Sequence, residues 1–426
     1  MNIFVLSLFS FFLFFLSFLK PTFCNEVLLR ALERNMQELQ SAVKSLQTAV
    51  REQNEVIKNQ AVRIDGLEKA KGGGLQYAPA PDSRVPGLAG FSQGFNPDIG
   101  VVGIVQAKLT EETRDGEGND TIALKELELN FGRYVDPFSR LDAVIALNDN
   151  LERQNVDIEE AYYSHWGLPL GFRGQIGKFR SKIGKQNLLH SELLDTADYP
   201  VVIRDFFGEE GQASSGVRLV HNIPNPLSIP LEMTGEVLRG NNGASFSGIS
   251  RRPIFNTHAK AYFEFSKEAN LELGWTTLFG DDNTTPQLSK GQDRYGVQVY
   301  GSDITFNRLL PQERAVKWQN EIYFQNRNDR AHVNADPWGF YSLFDYRFSR
   351  KFSAGVRFDY VEPLDVAGDH IRTTGISPYL TFWQSEFANF RLQFSHTEPA
   401  GAEAKADNAV FLKANVLIGV DKHPIQ

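Results

Sequence analysis

From Asp98 onward, apolar and polar residues alternate with a period of two, segment after segment. Such alternation marks β-strands with two chemically different faces, because successive side chains point to opposite sides. The clearest segment sets Phe352, Ala354, Val356, Phe358 and Tyr360 against Ser353, Gly355, Arg357 and Asp359. Just upstream, Trp338, Phe340, Phe344, Tyr346 and Phe348 oppose Asp345, Arg347 and Ser349. Ala259, Ala261, Phe263 and Phe265 alternate with Lys260, Tyr262, Glu264 and Ser266, and Phe390, Leu392 and Phe394 with Arg391, Gln393 and Ser395. The last segment places Val410, Leu412, Ala414, Val416 and Ile418 against Lys413 and Asn415.

A soluble β-sandwich also alternates, with its apolar face packed on a second sheet. The order of the connections separates the two architectures. Short turns follow the even strands, at Asp136-Pro137, Leu168-Pro169-Leu170, Pro224-Asn225-Pro226, Glu268-Ala269, Arg350-Lys351 and Glu386-Phe387. Long polar loops follow the odd ones, at 111–120, 180–212, 240–256, 280–292, 326–336, 362–375 and 398–407. The short connection near 149–154 is the exception. With about sixteen strand candidates, an even number, this parity predicts an all-β transmembrane barrel of antiparallel strands over 98–426. Asn320 and Pro378 fall on apolar faces and fit their strands poorly.

A mean hydropathy of -0.31 would suit a soluble protein. In a barrel, however, only alternate strand residues face lipid, so the apolar content is diluted. Aromatics make up 12% of the chain, 33 of them Phe, which suits strands and interfacial girdles. The net charge of -8 argues against a nucleic-acid partner. Cys24 is the one cysteine, so a disulfide framework or a cysteine zinc site within one chain is excluded.

The segment ahead of the barrel divides into three. Residues 3–19 are almost wholly apolar, and Thr22-Phe23-Cys24 places small residues at -3 and -1 of a cut after Cys24. We read 1–24 as a secretory signal peptide, although no Lys or Arg precedes the apolar run; an uncleaved anchor helix is the other reading. Over 26–70, heptad positions carry Leu29, Leu32, Met36, Leu39, Val43, Leu46, Val50, Ile57, Ile64 and Leu67, with Gln53 and Gln60 filling two core places. A 3.5-residue repeat of this length predicts an α-helical coiled coil, in the periplasm if the barrel spans an outer membrane. Gly72-Gly73-Gly74 ends it, and 71–97 reads as a flexible linker.

The longest loop, at 180–212, contains Leu188, Leu189, Leu193, Leu194, Tyr199, Val201, Val202, Phe206 and Phe207. Such residues would not favour exposure, so the loop is expected to fold inward and narrow the barrel. Its approach and start are basic (Arg173, Lys178, Arg180, Lys182, Lys185, with Arg204 further on), and its middle carries Glu192, Asp195 and Asp198. Opposite charges across a water-filled constriction select solutes by charge, which makes these nine residues the candidate selectivity set. His190 beside Glu192, Asp195 and Asp198 is too sparse a donor set for a metal site, and no cofactor is expected. His165, His221, His258 and His396 are scattered. Hydrolase, zincin and P-loop motifs are missing, and Ser214 and Ser215 beside His221 read as the start of a strand, so no catalytic residues are assigned. Glu159 and Glu160 are adjacent, hence expected on opposite faces of a strand.

Several short motifs, taken in order, resemble the phosphate-selective porin O and P superfamily, and more narrowly its coiled-coil-bearing outer-membrane relatives. They are Phe95-Asn96-Pro97-Asp98-Ile99, Val135-Asp136-Pro137-Phe138, Glu160-Ala161-Tyr162, Leu168-Pro169 and Gly177-Lys178-Phe179-Arg180. Gly184, Asn187, His190, Asp198-Tyr199-Pro200, Phe206-Phe207-Gly208-Glu209-Glu210-Gly211, Ile418-Gly419 and His423-Pro424 continue the series. The resemblance implies a sixteen-stranded barrel, a homotrimer and an inward-folded third loop. Phosphate selectivity in that family rests on an arginine ladder and pore lysines, which do not map onto this chain and are not carried over. Two departures stand out: Ser191-Glu192 follow His190 where relatives tend to have a second histidine, and the chain ends in Pro424-Ile425-Gln426 rather than an aromatic.

The expectation is therefore a bacterial outer-membrane porin, in contact with lipid and passing small solutes or ions, anions being one option. The alternative is a structural outer-membrane protein whose coiled coil tethers or spaces the membrane. An outer-membrane enzyme such as a lipase is a third reading that no sequence feature requires.

Overall fold

The computed structural model describes residues 98–111, 120–150, 153–226, 229–247, 252–282, 295–327, 336–364, 371–400 and 405–419. The signal peptide, coiled coil and linker expected over 1–24, 26–70 and 71–97 lie outside the described residues, as do His423-Pro424 and the final three residues.

Sixteen strands follow one another along the chain. They are β1 (Asp98–Thr110), β2 (Thr121–Asp136), β3 (Ser139–Asn150), β4 (Arg153–His165), β5 (Arg173–Arg180) and β6 (Ala213–Asn222). Next come β7 (Leu231–Leu238), β8 (Ile254–Ser266), β9 (Ala269–Asp282), β10 (Tyr295–Leu310) and β11 (Arg314–Arg327). The series ends with β12 (Trp338–Ser349), β13 (Phe352–Glu362), β14 (Thr373–Ser385), β15 (Ala388–Glu398) and β16 (Asp407–Gly419). Each pairs antiparallel with its sequence neighbours, and β1 pairs with β16, which closes the barrel and leaves no free edge.

The predicted strand segments fall inside these elements, and the connection parity holds. Turns join β8–β9, β12–β13 and β14–β15, while the β3–β4 connection is short, as its sequence suggests. Asn320 and Pro378 nevertheless sit inside β11 and β14. Pro378 is tolerated because its β15 side skips two ladder pairs, between Ile376↔His396 and Tyr379↔Gln393.

The faces are chemically opposite. On β13, Val356 and Phe358 point out, 36% and 41% exposed, while Arg357 and Asp359 point in at 1% each. The outward aromatics form two bands. Phe324, Trp338 and Tyr360 adjoin near the long-loop rim, with ring centroids 6.0 and 5.1 Å apart. Phe348, Phe352, Phe382 and Phe390 adjoin near the turn rim, at 6.0, 5.1 and 6.3 Å. Between Trp338 and Phe348, about ten residues rising ~3.3 Å each and tilted by ~40° span roughly 25 Å, the height of an outer-membrane barrel's apolar band. Around the circumference the outward face changes character. On β1–β6 it is mainly aliphatic, with Val105, Leu124, Leu141, Ile158, Ile176 and Leu219, and its exposed aromatics Tyr134, Phe138 and Trp166 lie at the turn rim; on β8–β15 Phe and Trp are interspersed with aliphatics along the strands.

Besides register shifts beside four of the turns, two β-bulges within the strands disturb the strict alternation. Ile104 faces Glu126 while Val105 faces Leu124, so Lys125 is an extra residue in β2. Val144 faces Glu160 while Ile145 faces Ile158, so Glu159 is an extra residue in β4. A bulge re-aims the side chains on either side of it, and the second one corrects the expectation for Glu159 and Glu160. Both side chains are buried and reach the same imidazole, that of His190.

Candidate functional site

The third loop on the long-loop side, L3 (residues 181–212), runs along the inner faces of strands far from its own ends. It carries one helix, α1 (Val201–Phe207). The inner wall at that level is apolar rather than polar: Leu238, Ile254, Leu278, Val297, Val299, Leu343 and Val361 are buried there. Val201, Val202, Ile203, Phe206 and Phe207 pack into this patch. Burying five such side chains contributes on the order of 10 kcal/mol before the entropy of ordering the loop is subtracted.

Polar contacts fix the rest of L3 in place. Glu321 of β11 accepts the backbone N–H groups of Lys185 and Gln186, at 3.1 and 2.7 Å, and the hydroxyls of Tyr323 and Tyr341. Glu236 of β7 accepts the N–H of Lys182 at 3.1 Å, and Asp359 of β13 that of Val201 at 3.0 Å. Inward cations take the loop's carbonyls: Arg391 those of Leu194 and Thr196, Lys413 that of Ser191, and Arg357 that of Asp198. Asn187 clips the loop's base, donating to the carbonyls of Ser181 and Gln212 and accepting the Gln212 N–H. Gly184 has φ +53°, and a Cβ there would run into Glu321 and Tyr323, so this tight passage needs glycine.

The nine charged candidates are distributed along this path. Arg180 is buried, 3.7 Å from Glu159, and donates to the Glu210 carbonyl at 2.6 Å. Lys182 and Arg173 share Glu232, and Lys185 pairs with Glu272 at 3.0 Å. Asp195 pairs with Lys317 at 2.5 Å and Asp198 with Arg357 at 3.1 Å. Lys182, Lys185, Asp195 and Lys317 keep 19 to 30% of their side chains exposed, so charges of both signs face water here. Glu192 is buried. Arg204 lies 3.9 Å from the exposed Glu209. Lys178 stands apart: its register partner Ser215 is exposed, whereas Phe179 and its partner Ser214 are buried, so Lys178 belongs to the opposite face of β5 from Phe179. A cavity of about 440 Å³ opens beside this set, with Glu232, Lys260, Tyr262 and Glu272 in its lining.

Around His190 the structure gathers charges that sequence spacing did not connect. Its Nδ1 lies 2.7 Å from Glu159 and 3.6 Å from Glu128, and its Nε2 lies 3.6 Å from Glu160. Burial and Arg180 disfavour the charged imidazolium, yet the three carboxylates outweigh them and hold its pKa well above the ordinary histidine value. Asp198 is held low, at about 2: its burial opposes the charge, and Arg357, Arg204 and the Gln393 amide outweigh that. Two groups of donor atoms lie within 4.8 Å of one another, Glu128 with His190 and Glu192, and Glu126 with Glu128 and Glu159. The inward Glu126 and Glu128, alternating with Leu127 and Leu129, were the available sequence signal for this cluster.

No family model matches the chain. A protein of Aquifex aeolicus (strain VF5), described as uncharacterized, is 26% identical over 337 residues, covering 71% of this chain and 69% of its own length. OprB of Pseudomonas putida superposes with a TM-score of 0.53 at 11% identity, over 76% of this chain and 94% of its own. OmpT of Vibrio cholerae, an outer membrane protein folded in vitro and solved in a trimer form, gives 0.52 at 9% identity, over 76% and 99%. OmpF of Salmonella typhi, in complex with daunomycin, gives 0.50 at 9%, over 76% and 97%. At these identities the likeness is one of fold, and the fold shared with all three is the closed antiparallel barrel described above.

Proposed function

We propose that the protein is an outer-membrane porin, a water-filled channel for passive diffusion of small solutes in which L3 forms the constriction. The observation that carries this reading is the contrast between faces. A closed barrel with an apolar, aromatic-banded exterior belongs in lipid, and its charged interior with water on both signs of charge belongs to an aqueous path. Lys182, Lys185 and Asp195 with Lys317 are the water-facing charges best placed to select; Arg180 and Glu192 are buried and act through the loop's position.

The channel assembles as a homotrimer in this reading. Support comes from the outward face of β1–β6, which is mainly aliphatic, with its exposed aromatics Tyr134, Phe138 and Trp166 gathered at the turn rim, and which suits packing against another copy. One of the barrels sharing the fold was solved in a trimer form. The heptads at 26–70 would then project into the periplasm from each protomer.

In planar bilayers the purified protein should give stepwise conductance, and changing Lys182 and Lys185 together to Gln should move the reversal potential in asymmetric KCl toward cation selectivity. A folded protein that never conducts overturns the channel, and an unchanged reversal potential removes the two lysines from the selectivity set.

A further inference from the structure

Beneath His190 the wall carries more carboxylate than cation. Glu126, Glu128 and Glu159 are 2%, 1% and 7% exposed, and one carboxylate oxygen of each lies within 4.8 Å of the others. Three like charges so close in a low-dielectric interior cannot all remain ionised without a counter-charge. The neighbouring cations are already directed, Lys413 donating to the Ser191 carbonyl. Arg180 reaches Glu159 at 3.7 Å while donating to the Glu210 carbonyl, and His190 Nδ1, which carries at most one hydrogen, aims at Glu159 at 2.7 Å. Glu128 Oε1 is thereby left 3.6 Å from that nitrogen, buried, and accepting no hydrogen bond. A buried acceptor in that state costs about 1–3 kcal/mol and calls for a partner.

We propose that Glu126, Glu128 and Glu159 form a binding site for a divalent cation of the calcium type, with Glu128 Oε1 as its principal ligand. Calcium takes carboxylate oxygens at about 2.3–2.6 Å, so two oxygens on one ion stand at most about 5 Å apart, which matches this triad. An all-oxygen donor set selects a hard cation. Three carboxylates binding bidentately can supply up to six oxygens, within the six to eight that calcium takes in flexible geometry, whereas magnesium demands near-octahedral geometry and retains several waters. Glu126 and Glu128 come from β2 and Glu159 from the β4 bulge, so the ion bridges across β3, where Val144 and Ala146 offer no side-chain donor. Through Glu159 and His190 the same ion braces L3. The site does not depend on whether the barrel conducts.

The test uses the full-length protein folded in detergent, stripped of metal with a chelator and titrated calorimetrically with CaCl2 and MgCl2. One saturable calcium site per chain is expected, with magnesium at least about tenfold weaker. Glu128→Gln should weaken calcium at least about tenfold, and the exposed Glu398→Gln should leave it unchanged, with circular dichroism reporting the fold of each. Should Glu128→Gln not fold, Glu126→Gln replaces it under the same expectation. No saturable calcium binding by the unmodified protein overturns the site and assigns the missing counter-charge to protons. Equal binding by the folded variant overturns it too, and places the ion elsewhere.

Discussion

His190 Nδ1 lies 2.7 Å from Glu159 Oε2, 31 residues away, and the contact exists because β4 holds one more residue than β3 at that level. Without the bulge, Glu159 and Glu160 would alternate across the wall and only one could reach the loop. One inserted residue thus converts a surface pattern into an anchor for L3.

In metal-free protein, replacing His190 by Ala should cost about 3–5 kcal/mol, because Glu159 loses its nearest counter-charge and keeps only Arg180, at 3.7 Å. The folded protein holds the imidazole proton more tightly than the unfolded chain. The stabilisation is therefore complete below the ordinary histidine pKa and lost as pH rises through the elevated folded value. Urea unfolding of wild type and variant from acidic to alkaline pH checks this: the gap should narrow as pH climbs. A gap independent of pH contradicts it.

Eight residues further along L3, at Asp198, the linkage has the opposite sign. Asp198 sits at about 2, below its ordinary 3.8, so its pairing with Arg357 stabilises above the ordinary value and fades as pH falls through about 2. Asp198→Asn should lose this advantage at neutral pH and converge with wild type only in strong acid. Acid-unfolding curves of the two proteins give the comparison.

Arg357→Met should be harsher than Asp198→Asn. Arg357 is 1% exposed and donates to Asp359, Thr196 and Asp198 together. Its loss strands Asp359 as well, for about 3–5 kcal/mol. A cost below that of Asp198→Asn in the same urea titration would show that Asp359 finds another partner.

Glu321→Ala removes an acceptor shared by two L3 backbone N–H groups and two tyrosine hydroxyls. The start of L3 should detach from β11, raising single-channel conductance and opening the loop to protease. Conductance and cleavage both unchanged would show that α1 packing alone holds the loop.

Single-tryptophan variants test how the barrel sits in lipid. Trp275, midway along β9, should be quenched most by bromines deep in the acyl chains, and Trp338, at the long-loop rim, by bromines near the headgroups. Equal quenching at both depths would contradict the assigned height of the apolar band.

The strands were legible because lipid outside and water inside force a period of two, as Phe358 against Arg357 illustrates. The inward fold of L3 was legible from Val201, Val202, Phe206 and Phe207, which had no other place to go. The wall that receives them was not: Leu278 and Leu343 read as ordinary strand apolars, and a bulge or a start one residue off exchanges inside for outside. Nor could spacing pair Arg391 with the Leu194 carbonyl or Lys185 with Glu272, since such contacts join positions with no local signature.

The β1–β16 seam has a consequence for how the barrel comes into being. Every other ladder joins consecutive strands, while this one matches Gly100 to Gly419 across nearly the whole barrel. Closing so long a loop carries the largest entropic penalty of any pairing, so the seam is expected to be the last ladder to form. Lys413 and Asn415, which hold L3 at Ser191 and Glu192, lie on β16 itself. Closing the wall therefore also makes the β16 fastenings of its inner loop, and an unclosed barrel has both an open edge and an L3 without those two anchors.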